Sequence, residues 1–308
     1  MTAATMTAAP AAPSSISRFM ASRGFAIFVI VLAILILWYA AAIWKNAFVQ
    51  ANLDHVSGVT HSLSELAILA LTQAKPSVPA PHQVLIQTFQ SVFLANPATP
   101  ASLLFHAWVT LSSALVGFAS GTVLGIVLAI GIVNVRSLEK GLMPWIISSQ
   151  TVPVLALAPM VIVVLATIGI KGLIPKAIIS TYLSFFPVTV GMVKGLRSPS
   201  PIHLDLMRTY NASLQQTLLK LRVPASIPFL FAAMKVAVAA SVVGAIVAEL
   251  PTGAVAGLGA QLLIGTYYSQ SIQMWSALLV GSVMAALLVA VVGLVERVVV
   301  GGMGGRPT

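Results

Sequence analysis

Cysteine is absent from the 308 residues, acidic residues number only 6 against 16 Lys and Arg, and residues of either charge make up just 7%. The first absence removes disulfides, thiolate metal sites and a cysteine nucleophile from the available chemistry. The scarcity of charge excludes more, because a domain solvated by water carries about 25% charged residues. With 58% hydrophobic residues and a mean hydropathy of +1.01, this chain needs lipid over most of its outside. A net charge of +10 would suit a nucleic-acid partner in a soluble protein. Here it fits the basic excess that membrane proteins keep on their cytoplasmic side, and no nucleic acid is expected.

Enzyme signatures are missing too. There is no G-x-x-x-x-G-K-[ST] phosphate loop, no H-E-x-x-H and no G-x-S-x-G. The histidines at 55, 61, 82, 106 and 203 lack metal-ligand spacing, so neither a metal site nor a catalytic residue is expected. Gly257-Leu258-Gly259 reads as a glycine turn, since no strand precedes it to make a dinucleotide fingerprint. The expectation is a non-enzyme with no cofactor in this chain.

What is present is long apolar runs. Residues 1–17, rich in Ala, Thr, Pro and Ser, are expected to be a disordered cytoplasmic tail. A first transmembrane helix is expected over 18–44, with Arg18 and Arg23 before its apolar run and Trp38, Tyr39 and Trp44 as an interfacial belt beyond. Length and flanks argue against a cleaved leader. Residues 45–100 turn polar and read as an extracytoplasmic segment; within it, Leu63, Leu66, Leu69, Ala70 and Thr72 have helical spacing, which suits a short helix lying on the membrane. Five more apolar stretches follow at about 103–133, 142–168, 177–193, 225–250 and 275–295 inside a core of 101–298, and 299–308 reads as a second cytoplasmic tail. The fold class is therefore an all-α polytopic membrane protein with about six transmembrane helices.

Alternating connections put Arg18, Arg23, Arg136, Lys140, Lys194, Arg197, Arg208, Lys220, Arg222, Arg297 and Arg306 on one side and Lys45, Lys75, Lys171 and Lys176 on the other. Leaving out Lys235, which lies inside a span, the tally is 11 to 4, so both termini are expected in the cytoplasm.

The largest cytoplasmic piece is 194–224. Ser200-Pro201 can cap and start a helix running to about Tyr210, Asn211 tolerates the left-handed turn that ends one, and Ser213-Leu214-Gln215-Gln216 matches a capping box that opens a second helix ending at Pro224. Topology alone needs no capped helix-turn-helix; a rigid cytoplasmic loop of this kind is read as a docking surface that passes force into the membrane.

Polar and helix-breaking residues gather in the third span, where Gln150, Thr151 and Pro153 lie within a Ser148-to-Pro153 segment followed by Pro159. Carbonyls freed by proline need a neighbour or a water-filled cavity, which suits a solute path as well as a packed kink. Thr181, Tyr182, Ser184 and Ser241 are candidates to face the same cavity. Lys235 and Glu249 are ionisable residues in or at the end of the fifth span; Lys235 can snorkel or serve a pathway, and two scattered groups do not make a proton relay. Gly117, Gly121 and Gly125 form a small face for close helix packing.

Asp205-Leu206-Met207-x-x-x-Asn211, nine residues, then Leu221-Arg222-Val223-Pro224 resembles the EAA motif, E-A-A-x-x-x-G-x9-I-x-L-P, of permease subunits of bacterial ABC importers. Spacing matches; of the identities only Pro224 is kept, with Asn211 standing for Gly. Pro79 to Val84, Gly117-Phe118, Thr151-Val152-Pro153 to Pro159, Ile168 to Lys176, Lys235, Glu249 and Gly257-Leu258-Gly259 resemble the nitrate/sulfonate/taurine branch. Ser113 stands where that branch usually has Arg, and 45–75 looks like an insertion. The resemblance implies a type I importer fold in the bacterial inner membrane. It also implies two cytoplasmic ATPase subunits that bind the ATP, a second permease chain and an extracytoplasmic substrate-binding protein. On this reading Asp205, Met207, Asn211, Ser213, Leu221 and Pro224 belong to ATPase docking, and Gln150, Thr151, Pro153, Tyr182 and Glu249 to the pathway. The solute expected is a small organic or inorganic anion or a pyrimidine-like molecule. The alternative is a secondary transporter or channel, which should carry coupling-ion residues and inverted repeats.

Overall fold

A computed structural model of the chain describes residues 22–58, 61–251 and 256–303; the tail expected over 1–17 lies outside the described residues. Two compact units divide it, one ending at Gln83 and one starting at Val84.

In the first unit, α1 (Arg23–Ser57) begins where the Ser22 hydroxyl accepts from the Phe25 amide at 3.2 Å. It continues past the expected end at Trp44, because residues 45–57 hold neither Gly nor Pro and the helix stops only where Gly58 turns left-handed at φ 73°. α2 (Leu63–Thr72) is the short helix expected in the polar segment. It starts from a capping box: the Ser62 amide donates to Glu65 Oε2 at 2.7 Å, a bond that draws the exposed Glu65 carboxyl below its ordinary pKa, and the Glu65 amide donates to Ser62 Oγ. This segment is tied to α1 from within. Asn46, fully buried, donates from Nδ2 to the carbonyls of Ala70 (3.0 Å) and Val78 (2.8 Å) and accepts from the Val78 amide (3.1 Å). Trp38, expected only as a belt residue, donates its indole N–H to the Pro79 carbonyl at 2.9 Å. A buried amide with three partners fixes the loop as firmly as a turn would.

α3 (Pro81–Phe89) starts in the last residues of the first unit, continues into the second and runs into a π turn at Gln90–Leu94. α4 (Leu103–Asn134) is the first long span of this unit, capped by the Ser102 hydroxyl on the Leu104 amide. The stretch expected as one third span is two helices, α5 (Arg136–Ser149) and α6 (Val154–Thr167), bent by 100° at residues 150–153. Pro153 has no amide to continue the ladder and pushes Val152 toward extended backbone, so a kink becomes a break. α7 (Leu173–Leu196) follows, then α8 (Pro201–Thr209), α9 (Leu214–Thr217), α10 (Val223–Glu249), α11 (Leu258–Tyr267) and α12 (Ser271–Gly302). The last helix runs into the tail expected from 299 onward, ending at Gly302.

Helix directions follow from the glycine contacts. Gly117 abuts Ser180, Gly121 abuts Ser184 and Gly125 abuts Val188, so α4 and α7 run parallel with their backbones close, and Ser184 donates to the Gly117 carbonyl at 3.1 Å. A side chain at any of the three would overlap α7. Gly191 meets Ala233 and Gly195 meets Ser226, while Gly244 meets Ser180, so α10 runs against α7. Lys235 meets Glu296 and Gly281 faces Ile246, so α12 runs against α10. Parallel α4 and α7 require the chain between them to return across the full thickness. The bent α5–α6 pair is therefore a broken span and not a loop that leaves by the side it entered. With the five unbroken candidates, it makes six spans among the described residues. Two apolar clusters hold the ends of this bundle: Leu103, Ala114, Val242, Ala245 and Leu258 at one, Ala129, Ile132, Ile146, Met192 and Leu196 at the other.

Candidate functional site

Three features stand out on this bundle: a capped loop at one end, a polar break in the third span, and a buried ionic knot at the opposite end. The loop begins at α8, where Pro201 occupies the first turn. Ser200 was expected to cap its amides, but its hydroxyl pairs with His203 Nδ1 at 2.9 Å instead, because the imidazole three residues on competes for it. Asn211 has φ 52°, the left-handed turn expected of it. Ser213 and Gln216 form the expected reciprocal box, with Gln216 N to Ser213 Oγ at 3.2 Å and Ser213 N to Gln216 Oε1 at 2.9 Å. Pro224 does not end the second helix. A π turn at Leu218–Arg222, in which the Val223 amide reaches back to the Leu218 carbonyl, widens the coil just before the proline, and residues Leu214–Glu249 form one continuous helix. The helix-turn-helix is thus a short helix hinged to the end of a span. Leu221 lies half-buried in the π turn, Met207 is half-buried on the inner face of α8, and Asp205 is exposed, paired only with Arg208 at 3.0 Å. Facing outward are Ile202 (78% exposed), Leu206, Tyr210 (76%) and Leu214 (87%), an apolar set on a loop beyond the end of the spans.

At the break that holds Gln150, Thr151 and Pro153, the Tyr182 hydroxyl donates to the Ser149 carbonyl, which Pro153 has no amide to reach. Gln150 and Thr151 are exposed there. Of the other residues expected to face the same cavity, Ser184 and Ser241 do not: both are buried, Ser184 on the Gly117 carbonyl and Ser241 on the Val238 carbonyl of its own helix. Thr181 bonds the Ala177 carbonyl.

Placed in the pathway on sequence grounds, Glu249 is fully buried in this chain at the end of α10. Its carboxylate accepts from Lys176 Nζ at 3.3 Å, from Thr110 Oγ1 at 2.9 Å and from the Gly259 amide at 2.9 Å. Thr110 in turn accepts from the Leu258 amide at 2.9 Å, and the Gly257 amide donates to His106 Nδ1 at 3.0 Å. Gly257 has φ 127° and a methyl group there would overlap the Glu249 carboxylate. The glycine turn read in the sequence is therefore a close approach of backbone to a buried acid. Lys176, counted among the outward basic residues, is 7% exposed. Lys235, for which snorkelling and function were both open, pairs with Glu296 of α12 at 2.5 Å; Glu296 is buried, and sequence reasoning missed it. Neither Thr110 nor His106 gave a signal either, since their partners lie more than a hundred residues away in the chain.

Among the described residues, no group of His, Asp or Glu is arranged to hold a metal ion. Six spans, a polar break bonded to its neighbour and a structured loop outside the bundle define a membrane permease. Residues 121–304 match the family described as binding-protein-dependent transport system inner membrane component, and the chain belongs to that family: it is a permease of a binding-protein-dependent ABC importer, a multi-pass protein of the inner membrane. It is 32% identical to a probable ABC transporter permease protein of Haemophilus influenzae, over 66% of this chain and 77% of the relative. It is 32% identical to the formylaminopyrimidine transport permease protein ThiX of Halalkalibacterium halodurans, over 59% and 68%, and 25% identical to the nitrate import permease protein NrtB of Synechocystis, over 71% and 76%.

Proposed function

We propose that this chain forms the solute pathway of an importer driven by separate ATPase subunits, with the loop from Pro201 to Pro224 as the ATPase-docking element. The observation that carries the reading is the outward apolar set Ile202, Leu206, Tyr210 and Leu214 on a loop whose fold is fixed by Asn211 and the Ser213 box. An apolar surface of this kind outside lipid needs a protein to cover it. Because Leu214–Glu249 is a single helix, displacement at the loop is delivered about 50 Å away, at the knot on Glu249. Two ATPase subunits bind and hydrolyse the ATP, so this chain needs no cofactor and catalyses no reaction. A second permease chain completes the pathway, and an extracytoplasmic binding protein delivers the solute. Both termini and the docking loop lie in the cytoplasm, in keeping with the 11 to 4 basic asymmetry.

Within the pathway, Gln150, Thr151, Pro153 and Tyr182 present the polar wall at the broken span. The relatives named for a formylaminopyrimidine and for nitrate support a small polar solute, either an anion or a pyrimidine-like molecule. Glu249 acts in this scheme by holding the end of α10 and not by touching solute.

The test is at Asn211. A β-branched residue in the left-handed turn costs about 1 to 2 kcal/mol, so Asn211→Val should weaken co-purification with the ATPase about 5- to 30-fold and lower ATP-dependent uptake in step. Asn211→Gly should leave both unchanged. Retention of both by the Val variant would reduce the loop to a connector.

A further inference from the structure

At the end of α7 nearest the docking loop, a pocket of 480 Å³ opens between α5, α7 and α10. Met143, Val190, Val193 and Phe229 give it apolar walls, while Lys194 and Arg197, both exposed, bring positive charge to the same space. Lys194 lies about 32 Å along α7 from Leu173, which is about one hydrocarbon thickness, so the pocket sits where a bilayer passes from acyl chain to headgroup.

The charges do not cancel there. Arg197 pairs with Glu139 at 2.9 Å. Lys194 has no carboxylate within ion-pair reach among the described residues, and its ammonium stands 5.9 Å from the centre of the Phe229 ring. Two cations therefore face one carboxylate beside an apolar cleft. A soluble anion would satisfy the charge and leave the cleft bare; a neutral lipid would do the reverse.

We propose that this pocket is a binding site for an anionic phospholipid, with the headgroup phosphate on Lys194 and Arg197 and the start of an acyl chain against Val190 and Met143. Its position beside the root of the docking loop lets the bound lipid brace the end of α7 from which that loop departs. The proposal takes from the orientation given above only the leaflet that supplies the lipid.

Native mass spectrometry of the full-length permease, stripped and re-lipidated with phosphatidylglycerol or phosphatidylcholine of identical chains, tests it without any transport step. The wild type should retain phosphatidylglycerol selectively. Lys194→Gln should lower that retention about five-fold, the effect of one basic residue at an anionic surface, and Lys194→Arg should restore it. Val190→Trp, which keeps the charges and fills the cleft, should also lower it, whereas Lys220→Gln, outside the pocket, should not. Equal loss in the Lys194 and Lys220 variants, or none in either, overturns the site. Displacement by soluble glycerol phosphate, or indifference to Val190→Trp, would mean a site for free anions and would likewise overturn it. Failure of the importer reading would leave these retention values unmoved.

Discussion

Lys176 and Glu249 offer the most informative perturbation, because they join the start of α7 to the end of α10 through side chains with almost no access to solvent. Removing one partner of a buried ion pair typically costs about 3 to 5 kcal/mol, since the survivor is left charged without compensation. The surroundings refine that range. After Lys176→Met, Glu249 keeps the Thr110 hydroxyl and the Gly259 amide, so the loss belongs at the lower end, about 3 kcal/mol. After Glu249→Gln, Lys176 keeps the Ala256 carbonyl at 3.4 Å, a weak partner for an ammonium, and the amide can satisfy only part of what the carboxylate accepted. The double variant removes both charges together and should cost less than the sum by about 2 to 3 kcal/mol. Equilibrium unfolding in mixed micelles of dodecyl sulfate and a mild detergent, followed by circular dichroism, gives the four free energies of the cycle. Additive losses would refute the pairing. So would a Glu249→Gln variant with native stability and an altered KM for uptake, the behaviour of a solute ligand.

The broken span and the pathway each carry a prediction of their own. Parallel packing of α4 and α7 places Ala98 and Ser198 on opposite faces, so single cysteines there should label from opposite sides in this cysteine-free chain; labelling from one side would make α5–α6 re-entrant. Thr151→Leu, which alters the exposed wall at the break and leaves the docking loop intact, should lower solute uptake several-fold while ATPase co-purification stays unchanged, and unaltered uptake kinetics would move the pathway elsewhere.

The basic asymmetry, the apolar runs and the cap at Ser213 were legible because each depends on residues within one helix turn or one bilayer thickness of each other. Local chemistry fixes helix starts, and hydropathy over about 20 residues fixes spans. The left-handed turn at Asn211 belongs to the same class, since the conformation is a property of that residue and its neighbours. Even locally there were limits. Pro224 reads as a helix end, yet a π turn one step earlier absorbs it.

Tertiary structure decided the rest. Whether residues 136–167 kink, break or re-enter depends on where α4 and α7 lie, and the three glycines facing Ser180, Ser184 and Val188 settle that by setting the two helices parallel. The partners of Glu249, Lys235 and Asn46 were equally out of reach. A buried charge or amide in a membrane bundle must be satisfied by whatever group folding brings beside it, and no spacing in the chain encodes a neighbour on another helix.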